Sequence, residues 1–545
     1  MKKYVLAFAF AALSAQAAPL TAAQKLSDFE QLIGRIESNY GPLLLKPASI
    51  RLDLGKAKDE ARAEIAATAT NAEFYYAMVR FVARFKDGHF KLSLPTTLEA
   101  SLPFGVDLIG GKVLIDDIDR TKLPESVFPF ARGDEVVSFN GKPAMEVVQA
   151  LAAYVPYGNE KAVLRAAAMS LTRRAGATFP VPQGTATVEI RRGHSASTDT
   201  VTIGWTRKGA ALDEDWPGGA PTPFAGLFST FVGDAPSPLE KVQNLSVFDF
   251  GTELFGSSAE RSYRCSGGTR VSLPTGAEII QTDPFVAYTY PTAKGRVGYL
   301  RIPHYLPVNP VTGQAAYEEY LSRYAFVLRR LEKETVGLVI DQDHNCGGSV
   351  SYLESMVSLF ALQPFKGLEF QFVASKENLL DFKSWLASAP KNTLEYEQAS
   401  EVYPLVEDAW KKGEFLAAKT TFHGSEPIFP SAHTRYTKPV IVLIDELAGS
   451  GGDAFPAIMQ GIGRAKLFGS QTGGLGGHVE EQPSLSFSAL KYRMTRSLFF
   501  HPNGAPIENN GAKPDFPYEI TRTDFMYGYR NYRDAYTAAL LTLIP

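Results

Sequence analysis

Two textures of apolar spacing divide the chain. From Thr21 to about Phe85, apolar residues recur at helical intervals in "TAAQKLSDFEQLIGRIESNYGPLLLK" and "LDLGKAKDEARAEIAATATNAEFYYAMVRFVARF", with Ser and Asp available as caps. That run ends in "KDGHFKLSLP", where Asp87-Gly88 predicts a turn into an alternating strand. From about Leu102 the pattern shortens. "KVLIDDID" and "GDEVVSFNGKPAMEVV" predict strand, turn, strand, a tight turn at Asn140-Gly141 and a short helix, and "TATVEIRRG" and "DTVTIGW" close the block near Trp205. Between Thr206 and Gly295 no period is sustained, and "WPGGAPTPF", "GDAPSPLE" and "CSGGTR" predict a linker, a lid or a surface insertion. From Arg296 onward the strands "VGYLRI", "TVGLVIDQDHN", "KPVIVLIDE" and "AKLFGSQT" alternate with the helices "GQAAYEEYLSRYAFVLRRLEKE", "SYLESMVSLFAL" and "DAFPAIMQGIG". Continuous apolar strands alternating with helices predict a mainly parallel sheet covered on both faces, hence a multidomain α/β protein.

Composition narrows the class. A chain of 545 residues is too long for one core, so roughly two to four domains are expected. With 45% hydrophobic and 21% charged residues it reads as an ordinary globular protein, and a net charge of -3 gives no electrostatic reason for nucleic acid or an anionic membrane as partner. The start, "MKKYVLAFAFAALSAQAAP", reads as a secretory signal over residues 1–17: Lys2 and Lys3, an apolar stretch from Tyr4 to Leu13, and Ala15-Gln16-Ala17 for cleavage. An exported protein without a membrane anchor, periplasmic or secreted, is the expectation. Cys265 and Cys346 suit either one disulfide or two free thiols. With no CxxC or HExxH pattern, neither a metal nor any other cofactor is expected.

In such sheets reactive groups gather in loops at the carboxyl ends of strands. Two loops stand out, Asp341 to Ser349 and Asp445 to Asp453. In the second, Ser450 is surrounded by Gly449, Gly451 and Gly452 at the start of a helix, where the Gly451 N–H has no intrahelical partner and can face an oxyanion. In the first, "NCGGS" offers another glycine N–H, from Gly347 or Gly348. Two converging donors and a hydroxyl are the minimum apparatus for acyl transfer. No lysine follows the glycines as a phosphate loop requires, and Ala448 stands where a G-x-S-x-G elbow has its first glycine. On this loop alone, a glycine-rich turn with an incidental serine stays open.

The segment "PVIVLIDELAGSGGDAFPAIMQGIGRAKLFGSQTGGLGG" resembles the core of the carboxyl-terminal-processing and tricorn-type serine peptidases, whose pattern puts the nucleophile at Ser450 and an acidic residue at Asp453. "GLVIDQDHNCGGSVSYL" resembles that family's second oxyanion loop, with Gly347 the best match. Leu475, in "TGGLG", departs from the branch that carries a lysine there; Lys466 sits in a strand pattern and points to solvent on this reading. Without an amine, the serine needs another base. The chain looks most like the chlamydial protease-like activity factors, which use histidine. That resemblance implies His89, in "KDGHFKLSL", as general base and Glu508, in "PIENNGAKPDFPYEI", as its acidic partner, with His344 and His478 as the competing histidines.

The same resemblance implies an architecture. It comprises a helical N-terminal region over 18–100, an inserted PDZ-like domain over 101–205, a linker or inhibitory segment over 206–295, and a ClpP/crotonase-like α/β peptidase core over 296–545. The expected function is a serine endopeptidase with protein or peptide substrates and, by analogy, a homodimer. The alternatives are a non-catalytic peptide- or ligand-binding protein on the same fold, or an esterase.

Overall fold

The computed structural model describes residues 19–46, 50–193, 195–212, 268, 271–307, 316–421 and 427–545. The expected signal, Cys265 and most of the 206–295 stretch lie outside the described residues.

The N-terminal periodicity folds into helices Ala22–Asn39, Leu54–Ala66 and Asn71–Ala83. Capping boxes start the first and third, pairing Thr21 with Gln24 and Thr70 with Glu73, and the Asp53 carboxylate accepts from the Lys56 N–H to start the second. Their apolar faces bury Phe29, Leu32, Ile36, Phe74, Met78 and Phe81 in one cluster, which takes in Leu485, Leu490, Tyr492 and Met494 from the far end of the chain. The strand after the DGH turn, Lys91–Ser93, pairs antiparallel with Lys491–Thr495, Leu92 opposite Tyr492, and Val479–Gln482 completes that small sheet. Residues some 400 positions apart therefore share one sheet.

The strand-rich block is a sheet with hydrogen-bonded order Phe104–Ile109, Lys112–Ile118, Glu135–Phe139, Thr185–Arg191, Asp199–Gly204. The short helix expected after Asn140-Gly141 is Ala144–Ala152, and a second one, Glu160–Met169, follows with Asn159 as its cap. Leu447 and Leu475, from loops that follow strands of the large sheet, are buried in the same apolar cluster as this block.

The large sheet has seven strands in the order Glu278–Gln281, Ala287–Thr292, Gly295–Arg301, Gly337–Asp341, Val440–Ile444, Lys466–Gly469, Phe516–Pro517. The last five run parallel. The sheet thus begins ahead of the residue 296 boundary read from the sequence. Successive residues of its central strands face opposite cores: Leu338, Ile340, Val440, Val442 and Ile444 enter one cluster, and Val339, Ile441 and Leu443 the other. Helices Tyr317–Glu334, Val350–Ser358 and Gly451–Gly461 contribute to the first core and Arg530–Thr542 to the second, so both faces are covered as the unbroken apolar runs predict. Helices Lys376–Ser388 and Leu394–Lys412 are additions between neighbouring strands of the sheet that the apolar spacing did not single out.

Candidate active site

Three adjacent parallel strands end in the loops after Asp341, Ile444 and Gly469, and backbone bonds lace those loops together. The Gly449 N–H donates to the Asn345 carbonyl at 3.1 Å, and the Gly473 N–H donates to the Ala448 carbonyl at 2.7 Å. Ser450 sits at φ 60°, ψ -115°, a region costly for a residue with a Cβ, at the N-terminal end of helix Gly451–Gly461. Its hydroxyl is buried and has no hydrogen-bond partner among the described residues, so it is not consumed as a helix cap. Asp453 holds the strained residue in place. One carboxylate oxygen accepts the Ser450 N–H at 2.7 Å and the Leu475 N–H at 2.9 Å; the other accepts the Gly474 N–H at 2.8 Å and the Thr472 hydroxyl. Burial raises the Asp453 carboxyl to about 6 against those four donors.

Gly347 lies directly against the serine. A Cβ there would stand 2.7 Å from the Ser450 Cβ and 2.9 Å from the Gly451 nitrogen, and its φ of +75° also demands glycine. The structure brings Gly347, Gly451 and Ser450 together as the sequence suggested, with one departure. The Gly347 N–H already donates to Asn345 Oδ1 at 2.8 Å. It reaches an oxyanion only by releasing that bond, whereas Gly451, as the first helical residue, owes its N–H to no carbonyl of the helix.

His89 is fully buried on the DGH turn. Asp87 shapes that turn: Oδ1 accepts the His89 N–H at 2.8 Å and Oδ2 accepts the Thr495 hydroxyl at 2.8 Å. Leu475 lies between the histidine and serine turns. A Cβ on Gly88 would approach its Cδ2 to 2.9 Å, and a Cβ on Gly449 would lie 3.2 Å from both Cδ atoms. Leu475 therefore fills the space between the two turns with packed hydrocarbon. Burial pushes the His89 imidazole down to about 3, with Asp87 opposing and Arg493, Lys91 and His478 adding to the depression, so the ring is neutral at neutral pH.

Glu508 is buried behind this turn, accepting the Gly476 N–H at 3.0 Å and pairing with Lys46 Nζ at 2.6 Å. Burial and the Asp87 charge push its carboxyl up to about 8, while Lys46 and the Gly476 N–H pull the other way. Sequence reasoning assigned no role to Lys46, Asp87, Asn345 or Thr472. Asp87 opens the DGH turn, Asn345 the "NCGGS" loop and Thr472 the "TGGLG" segment, whereas Lys46 lies in no motif.

The competing residues have other occupations. His344 donates its backbone N–H to Asp445 Oδ1 at 2.8 Å, and its ring meets Asp445 and Arg165. His478 Nδ1 lies 2.7 Å from the Ser497 hydroxyl and its ring packs on Phe372. Lys466 is half exposed and pairs with Asp515 at 2.9 Å. Cys346 is buried and disulfide-bonded. Among the described residues no group of three or more His, Cys, Asp or Glu is placed to hold a metal, and no helix is long and apolar enough to cross a membrane.

Residues 296–518 match peptidase family S41, and residues 98–215 match a PDZ domain. An uncharacterized protein of Chlamydia muridarum is 26% identical across 93% of this chain and 90% of its own length, and a Chlamydia pneumoniae protein is 26% identical across 95% and 90%. The crystal structure of mature CPAF superposes with a TM-score of 0.76 at 23% identity, covering 96% of this chain and 98% of that one; CPAF complexed with lactacystin gives 0.75, covering 96% and 99%. The S41 and PDZ matches and these superpositions establish the multidomain α/β architecture: a PDZ domain joined to an S41 core on the fold of CPAF. They support a serine-type peptidase whose substrates are proteins or peptides.

Proposed function

We propose that the chain is an exported serine endopeptidase acting through Ser450, His89 and Glu508. The observation that carries this reading is the buried, unbonded Ser450 hydroxyl on strained backbone, set against Gly347 and Gly451 and separated from the His89 turn by Leu475. His89, neutral at working pH, takes the serine proton as Ser450 Oγ attacks the peptide carbonyl, and returns it to the leaving amine. Glu508 orients the ring and stabilises the imidazolium. Gly451 donates to the oxyanion, joined by Gly347 once the Asn345 carboxamide lets go. Water then attacks the acyl-enzyme with His89 again as base.

Fluorophosphonate labelling and casein digestion by wild type, Ser450→Ala and His89→Ala test the assignment. Wild type should label and digest; both variants should lose both activities. Equal labelling of Ser450→Ala would remove the serine from the chemistry, and full activity in His89→Ala would move the base elsewhere. A wild type that binds peptides without cleaving them would favour a binding protein on this fold, and cleavage confined to short acyl esters would favour an esterase. Export rests on the N-terminal signal pattern, and N-terminal sequencing of protein recovered outside the cytoplasm should begin after residue 17.

A further inference from the structure

Lys46 follows the short helical turn Gly41–Leu44 in "GPLLLKPASI", and its side chain is only 4% exposed. Its ammonium has three donors and meets three acceptors: Glu508 Oε1 at 2.6 Å, Asn509 Oδ1 at 2.6 Å and the Lys86 carbonyl at 3.4 Å. Asn509 Nδ2 donates to the same Lys86 carbonyl at 2.7 Å, so this knot ties the segment entering the His89 turn to the segment carrying Glu508. Resting on the Ser450–His89–Glu508 reading, we infer that Lys46 is a positioning residue whose ammonium favours, over the protonated acid, the Glu508 carboxylate that the His89 imidazolium requires.

Charge counting in the buried knot supports this. Asp87 and Glu508 are two carboxyl groups sharing one low-dielectric site, and Lys46 is the cation bonded to Glu508. Lys46 offsets the charge of an ionised Glu508. Without it, an ionised Glu508 would be buried beside Asp87 with no bonded cation, and Glu508 takes up a proton instead. A protonated Glu508 offers no charge to an imidazolium. The groups facing Glu508 are Lys46, Asp87, the Tyr40 phenol and the Gly476 N–H; those facing His89 are Asp87, Arg493, Lys91 and His478. Since burial holds His89 far below neutrality and pushes Glu508 above it, the acid limb of the pH profile belongs to Glu508.

The test measures labelled-casein hydrolysis and the rate of fluorophosphonate labelling across neutral and alkaline pH. Wild type should gain activity as pH rises through about 8. In Lys46→Met the limb should move up by a unit or more, giving about a tenfold or greater loss at neutral pH that alkali largely restores. Lys46→Arg should sit between the two. In a Glu508→Gln background, Lys46→Met should cost nothing further, because no carboxyl at 508 is left to lose its partner. A wild-type profile in Lys46→Met, a loss uniform in pH, or the same loss in the Glu508→Gln background would overturn the inference. Undiminished hydrolysis by Ser450→Ala would instead overturn the peptidase site itself, whatever Lys46 does.

Discussion

Replacing Asp453 measures how much of the serine's geometry is held by one carboxylate. Its two oxygens accept three backbone N–H groups, from Ser450, Gly474 and Leu475, and the Thr472 hydroxyl, all in a fully buried setting. Asp453→Ala leaves three N–H donors without acceptors. At about 1–3 kcal/mol for each buried unsatisfied group, and allowing for water entering the space vacated, the expected destabilisation is about 4 kcal/mol. Asp453→Asn keeps the volume and one acceptor. Its amide nitrogen is best placed toward Thr472 and Gly474, because the Thr472 oxygen, which already accepts the Ala512 N–H at 2.7 Å, can accept from it as well. Only the Gly474 N–H then faces a donor, and the expected cost is about 2 kcal/mol. The assay is chemical denaturation at neutral pH, with fluorophosphonate labelling alongside. Both variants should label slowly, because φ of 60° at Ser450 is no longer enforced. If the alanine and asparagine variants unfold within about 0.5 kcal/mol of each other, or if either matches wild type, the three N–H groups do not depend on Asp453 and the reasoning fails.

Gly347→Ala places a Cβ 2.7 Å from the Ser450 Cβ at a φ of +75°, and labelling of the purified variant should fall about a hundredfold or more. Leu475→Lys should not create a serine–lysine enzyme. Its ammonium would be buried against Gly88, Gly449 and Gly473, so calorimetry should show a loss of about 3 kcal/mol or more and casein digestion no gain. His478, lowered by burial to about 3, binds its proton in the unfolded chain near 6.5, so its contribution to stability is complete above 6.5 and is lost as pH falls toward 3. Between pH 7 and pH 5 it accounts for about 2 kcal/mol of acid destabilisation, and denaturation of His478→Gln should show that much less loss over the same interval.

The seven-stranded sheet was legible because its central strands are buried on both faces and so must be apolar at every position, as "GLVID" and "VIVLI" are. The buried turn that holds Ser450 was legible from its glycines and strand-to-helix position. The proposed roles of His89 and Glu508 needed a resemblance, because nothing local marks a buried histidine as a base or a turn glutamate as its partner. Lys46 had no signal at all. A lysine after "LLL" reads as a solvated end, and what buries it is a contact 462 residues away in sequence. Helices Lys376–Ser388 and Leu394–Lys412 were missed for another reason: they lie in an addition between sheet strands, where no expected fold pattern called for them.

The long-range contacts explain why the helical N-terminal region is part of the site rather than an appendage. Leu92 enters the helical core opposite Tyr492, which is buried in the same cluster, and this register fixes where the preceding DGH turn lies. Sliding Lys91–Ser93 by one residue against Lys491–Thr495 would turn Leu92 out of that core and draw Asp87 away from the Thr495 hydroxyl. His89 would move with it. Apolar packing of three helices therefore sets the position of His89, the proposed base, and the Lys46–Glu508 pair locks the same region to the loop carrying Glu508, the proposed acid. A destabilising substitution inside the helices, such as Phe81→Ala beneath Phe29 and Phe85, should consequently slow fluorophosphonate labelling although it touches none of the three side chains proposed to react.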